Sequence, residues 1–129
     1  MEKMIIIDSD VLIEILDKKS EKGDEALKLI LQSGEEMFIT VIALHEVLYG
    51  LRKHGKPAKD VLLLPVLSYT KRDAVLSSKV ELEAEEKGTP VGRTDAMIAA
   101  ITVSNEAKLY SFNVKHFSSL KAFGLKLFP

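Results

Sequence analysis

Ile5-Ile6-Ile7-Asp8-Ser9-Asp10-Val11-Leu12-Ile13 is the stretch on which the reading of this chain turns. The apolar run from Met4 to Ile7 reads as a buried strand, and Asp8-Ser9-Asp10 ends it abruptly. Beyond the acids, Val11, Leu12, Ile15 and Leu16 recur at helical spacing. A strand running through a short polar turn into a helix is the opening of an α/β unit.

The rest of the chain repeats that alternation. Ala26, Leu27, Ile30 and Leu31 predict a second helix with these residues on its buried side, stopped at Gly34. Met37 to Ile42 reads as the second strand. Leu44, Val47, Leu48 and Leu51 follow at i, i+3, i+4 and i+7, and Gly50 and Gly55-Lys56-Pro57 close that helix. Asp60 to Tyr69, broken by Pro65, suggests a short helix and then a short strand. Arg72 to Lys87 predicts a charged amphipathic helix with Val75, Leu76, Val80 and Leu82 inward. Ala96 to Val103 is apolar nearly all round and predicts a buried helix that starts near Thr94 or Asp95. Lys108 to Phe112 and Leu125 to Phe128 complete the set as strands. The expected fold is a single α/β domain over residues 1–129. It is a three-layer α/β/α sandwich whose mainly parallel sheet has four to five strands.

Composition narrows the chemistry. None of the 129 residues is Cys, so disulfides and thiolate metal sites are excluded. The three histidines, His45, His54 and His116, show no metal-ligand spacing and read as structural or surface residues. The formal net charge is −1, so any attraction for a polyanion must come from a local basic patch or a bound cation. No secretory leader or membrane-length apolar run stands out, and the expected location is the cytoplasm, with no membrane partner.

Open parallel sheets bind ligands beyond the carboxyl ends of their strands. Asp8 follows the first expected strand, Glu46 lies early in the helix after the second, Asp95 opens the most apolar helix, and Asn113 follows the fourth strand. Taken singly, Asp8 and Asp10 suit a turn or a helix cap, and Asp95 suits the positive end of a helix dipole. Glu46 sits among Leu44, Val47 and Leu48, where a carboxylate needs a partner. Taken together, the carboxylates repel one another unless a hard divalent cation joins them. Such a cation polarises a phosphodiester, lowers the pKa of a water and stabilises the leaving oxygen. Ser9, Ser111, Asp10 and Arg93 stand close in sequence to these positions as supporting groups.

Four ordered blocks carry a family resemblance. Ile5 to Ile13 resembles the opening strand and turn of PIN domains. Ile39-Thr40-Val41-Ile42-Ala43-Leu44-His45-Glu46-Val47-Leu48-Tyr49-Gly50 resembles their second block, a strand leading into a helix with a Glu and then a Gly four residues on. Gly92-Arg93-Thr94-Asp95-Ala96-Met97-Ile98-Ala99-Ala100 is similar to their D-x-x-I-A-A helix. Leu109 to Phe117 resembles their T-x-N/D-x-x-x-F block. The resemblance implies a ribonuclease of the VapC type, the toxin of a toxin–antitoxin pair. It implies Asp8, Glu46, Asp95 and Asn113 as metal-binding and catalytic residues, with Mg²⁺ or Mn²⁺ as cofactor. RNA is then the substrate, a VapB-like antitoxin the partner, and a homodimer the assembly. Asn113 stands where other family members carry Asp; it offers an oxygen without charge.

Two other readings start from the same residues. Asp8-Ser9-Asp10 also resembles the D-x-D signature of haloacid-dehalogenase-like phosphatases, in which the first Asp is a nucleophile. That family needs a later acidic pair and commonly a cap domain, and neither stands out here. A PIN-like chain can also be an inactive interaction module, although retention of Asp8, Glu46 and Asp95 argues for a working site.

Overall fold

Ile5, Ile6 and Ile7 are all completely buried, because their strand lies at the centre of the sheet with helices on both faces. The computed structural model describes residues 3–129. The elements run β1 (Met4–Ile7), α1 (Ser9–Leu12) continuing as π-helix through Ile13–Asp17, α2 (Glu21–Ser33), β2 (Glu36–Thr40), α3 (Val41–Lys53), α4 (Lys59–Leu62), β3 (Val66–Leu67), α5 (Lys71–Glu86), α6 (Arg93–Ser104), β4 (Lys108–Tyr110), α7 (Val114–Ser118), a 3₁₀ turn over Ser119–Phe123, and β5 (Lys126–Leu127). The five strands are parallel, in the order β3-β2-β1-β4-β5. The three-layer α/β/α arrangement expected from the alternation is the one observed.

Register sorts the side chains into two cores. Ile6 pairs with Phe38 and Leu109, and all three face the layer made by α5, α6 and α7. Ile5 and Ile7 face the opposite layer, where Val11 and Leu12 of α1, Ala26 and Ile30 of α2, and Ala43, Val47 and Leu51 of α3 pack. The period-2 alternation of a strand thus feeds both helical layers from one isoleucine run.

Several expectations needed correction: the strand expected over Lys108 to Phe112 ends at Tyr110, and Gly50 lies inside α3, which runs on to Lys53. The strand expected over Met37 to Ile42 ends at Thr40, whose hydroxyl accepts the Ala43 backbone N–H at 3.0 Å. That cap turns β-branched Val41 and Ile42 into the first turn of a helix. In α5, Val75 and Leu82 are exposed rather than inward; the buried positions are Asp73, Ser77, Val80 and Ala84. Small side chains let α5 lie close against the alanine-rich α6. Asp73 fits there because its carboxylate accepts from Thr70 at 2.9 Å and 3.0 Å and from Ser104 of α6. Leu31 of α2 is exposed as well, because that helix buries the stripe Gly23, Ala26 and Ile30 instead.

The chain moves outward from β1 to β2 and β3, then returns to lay β4 on the other side of β1. The strand order therefore reverses between β1 and β4. At that switch point the connections leave in opposite directions and open a crevice at the carboxyl ends.

Candidate metal centre

Asp8 stands at the mouth of that crevice, the first residue after β1. Its backbone N–H donates to the Tyr110 carbonyl at 2.9 Å, prolonging the β1–β4 ladder by one rung. Its side chain caps α1 by accepting the Ser9 N–H at 2.8 Å. The residue is 5 % exposed. Burial, with repulsion from Asp10 and Asp95, pushes its carboxyl up to about 7, against the opposing hydrogen bonds from Ser9 and Ser111.

Asp10 reaches across from α1 to the β4 side. One oxygen accepts the Phe112 N–H at 3.0 Å and lies 3.3 Å from the Ser111 hydroxyl. The other, Oδ1, is buried with no hydrogen-bond partner among the described residues. Burial raises this carboxyl too, while the backbone N–H groups of Phe112 and Val11 and the charge of Lys22 pull it down. Buried Ser111 organises the strand end: its oxygen also accepts the Asn113 N–H at 3.1 Å. Asn113 itself leads into α7 and is exposed at the rim.

Glu46 approaches from α3. Half-buried, it is raised first by burial, lowered by the facing Ser9 side chain, raised by Asp95 and lowered by His45. Asp95 approaches from the first turn of α6, whose N-cap is Gly92. Its Oδ2 lies 2.9 Å from His116 Nε2. The carboxylates of Asp8, Asp10, Glu46 and Asp95 thus influence one another from three separate parts of the chain.

Arg93 lies elsewhere. It pairs with Glu81 of α5 at 3.2 Å and 3.3 Å on the exposed surface and does not join the site carboxylates. Two further residues lie beside the carboxylates: His116, read from the sequence as structural or surface, and Lys22, which the sequence did not single out. His116 bonds a site carboxylate, and its place three residues after Asn113 in the same block was the available signal. Lys22 of α2 lies over the Phe112 ring at 4.1 Å and close enough to Asp10 to lower it. Nothing in the local pattern around Lys22 marks it, because the contact spans about ninety residues of chain.

Among the described residues, no three acids or histidines form a closed metal cage. A magnesium-like cation needs none, since it keeps several waters and takes one or two carboxylates. A carboxylate raised by burial and by neighbouring acids, together with a buried oxygen on Asp10 that has no hydrogen-bond partner among the described residues, suits such a cation. The donor set is all oxygen and suits a hard metal.

Comparison with known proteins agrees with this geometry. The PIN domain family matches residues 5–121. The tRNA(fMet)-specific endonuclease VapC of Salmonella typhimurium is 28 % identical over 122 residues, covering 89 % of this chain and 90 % of that protein. Ribonuclease VapC1 of Methanocaldococcus jannaschii is 27 % identical over 134 residues, covering 98 % of this chain and 88 % of the other. The fold superposes on the crystal structure of VapBC2 from Rickettsia felis bound to a promoter DNA fragment with a TM-score of 0.80, at 21 % identity and 97 % coverage of each chain. For DNA-bound VapBC from Salmonella typhimurium the TM-score is 0.78, at 27 % identity, with 99 % and 98 % of the two chains covered. A five-stranded parallel sheet with acids gathered at its switch point, and a family match that runs from β1 past α7, have one explanation: this chain belongs to the PIN domain family.

Proposed function

We propose that this protein is a divalent-metal-dependent endoribonuclease, the toxin of a VapBC-type toxin–antitoxin pair. Its relatives named VapC support the activity class, and solved VapBC complexes of the same fold support an antitoxin partner. The observation that carries the reading is Asp8. Holding a carboxylate buried among other acids costs the metal-free fold stability, and a catalytic cation restores it.

Asp8, Glu46 and Asp95 would hold the cation, Mg²⁺ or Mn²⁺, directly or through its retained waters, with Asn113 and Asp10 as further oxygen donors at the rim of the site. When bound, the cation polarises the phosphodiester and favours deprotonation of the attacking water. Ser111 holds Asp10 and the start of α7 in place through its hydroxyl. Ser9 presents its backbone to Asp8 and its side chain to Glu46. His116 fixes the rotamer of Asp95. Among the described residues no helix is long and apolar enough to cross a membrane, and the cytoplasm, where RNA and a co-produced antitoxin are at hand, is the proposed location. A homodimer is the proposed assembly; exposed Leu62 at the end of α4, Leu63 just beyond it and Val66 of the edge strand β3 offer it an apolar surface.

The test is cleavage of a mixed pool of structured and single-stranded RNA by the purified protein with Mg²⁺, with Mn²⁺ and with EDTA. Cutting that requires metal and stops with EDTA is expected. A folded protein that cuts no RNA with either metal overturns the proposal. His116→Ala is expected to lower the cleavage rate by about tenfold and to demand more metal, as loss of a ligand-orienting partner does. His116→Gln, which keeps a side-chain donor, is expected to recover part of that loss. An unchanged metal titration for His116→Ala would remove His116 from the site.

A further inference from the structure

A second feature adjoins the acids. Along α3, a cavity of about 570 Å³ is lined by Ser9, Ile13, His45, Glu46, Tyr49 and Lys53 among others. It begins at Glu46 and runs toward the C-terminal end of the helix. Tyr49 stands one turn beyond Glu46, roughly 5 Å along the axis, and Lys53 one further turn on. The Tyr49 side chain is 63 % exposed, and the Lys53 ammonium lies 5.9 Å from its ring centre. His45 occupies the turn before. An exposed aromatic ring flanked by basic groups, in a trough that opens onto a phosphodiester-cleaving centre, has the components of a single-strand binding groove.

We propose that Tyr49 is a stacking platform for the base next to the scissile phosphate, and that Lys53 engages the following phosphate. The proposal rests on the ribonuclease reading and adds two contacts beside the cut, a base on the Tyr49 ring and a phosphate on Lys53; a ring can take a base only out of its helix. The contact between Lys53 and Tyr49 does not compete, since at an exposed site it is weaker than base stacking. Lys53 is long and solvated, so it can leave the ring for a phosphate as the base arrives. The groove also answers the near-neutral formal charge of −1, because the attraction for RNA is concentrated beside the acids rather than spread over the surface.

The experiment compares the wild-type protein with Tyr49→Ala, Tyr49→Phe and Lys53→Ala on single-stranded oligoribonucleotides and on a fully paired hairpin. Tyr49→Ala is expected to raise KM for single-stranded RNA about 5- to 100-fold, the range of one lost stacking contact. Tyr49→Phe keeps the ring and is expected to remain within about twofold of wild type. Lys53→Ala is expected to weaken binding and to reduce the salt slope by about one. A second readout uses the non-cutting Asp8→Asn background and an oligoribonucleotide carrying 2-aminopurine beside the cut. Its fluorescence is quenched on binding when Tyr49 is present and stays high when Tyr49 is Ala. If Tyr49→Ala cuts with wild-type KM and quenches equally, the stacking role is overturned while the nuclease reading stands. If the wild-type protein neither cuts nor binds RNA with metal, both fall.

Discussion

Asp8→Asn is expected to lose metal-dependent RNA cleavage by about 10²–10³-fold or more, the scale of removing one preorganised charge contact from a reaction centre. The same variant is expected to be more stable than wild type without metal at pH 8, and the two effects share one cause. Asp8 has its carboxyl pushed up to about 7 by burial and by Asp10 and Asp95, whereas an unfolded Asp titrates near its ordinary 3.8. The folded chain therefore binds more protons than the unfolded chain between those values. Its contribution to stability is fully present below the unfolded pKa and is lost as pH rises through the folded one. At pH 8 the penalty approaches about 4 kcal/mol. Asn keeps the neutral state at every pH, offset in part by the cost of burying its amide. Thermal unfolding in EDTA should show Asp8→Asn melting about 5–10 °C above wild type at pH 8, with the gap closing by pH 4. Adding Mg²⁺ should raise the wild-type midpoint at pH 8 and leave the variant nearly unmoved. Equal midpoints for the two metal-free proteins at pH 8 would mean that Asp8 is not held against its charge.

Gly23→Ala is expected to destabilise the protein by about 2 kcal/mol or more, against what local propensity predicts. Gly23 lies in the first turn of α2, where Ala is the better helix former by about 1 kcal/mol. A Cβ at that position would sit 2.3 Å from the Glu14 carbonyl oxygen, 2.5 Å from its carbon and 2.8 Å from the Ile15 nitrogen. All three are backbone atoms of the π-helical segment and cannot swing aside. The Glu14 carbonyl is also engaged, accepting the Ser20 N–H at 3.1 Å. Relief therefore requires α2 to move off the turn that follows Asp8-Ser9-Asp10. Urea unfolding with a lowered midpoint and an unchanged slope would bear this out. A neutral or stabilised Gly23→Ala would show that the two segments do not pack as closely as described.

Much of this protein was legible from residue order alone. The isoleucine run and the acids that end it placed β1, the start of α1 and Asp8, because a two-residue period and an abrupt polar stop are local properties. The helical spacing in Leu44, Val47, Leu48 and Leu51 placed Glu46 on α3, and the apolar sequence of α6 placed Asp95 at its head. The separated acidic residues also pointed to one cation, since like charges at strand ends need a common partner. What residue order left open depends on what stands opposite each side chain. Val75, Leu82 and Leu31 are as apolar as their buried neighbours, yet small Ser77, Ala84 and Gly23 decide which face comes close to another element. His116 resembles any surface histidine until the fold sets it 2.9 Å from Asp95. The charge state of Asp8 likewise follows from desolvation between β1 and β4 and from three acids converging on one crevice. Periodicity records which residues prefer to be covered; burial, contact and electrostatic coupling exist only once distant segments are packed together.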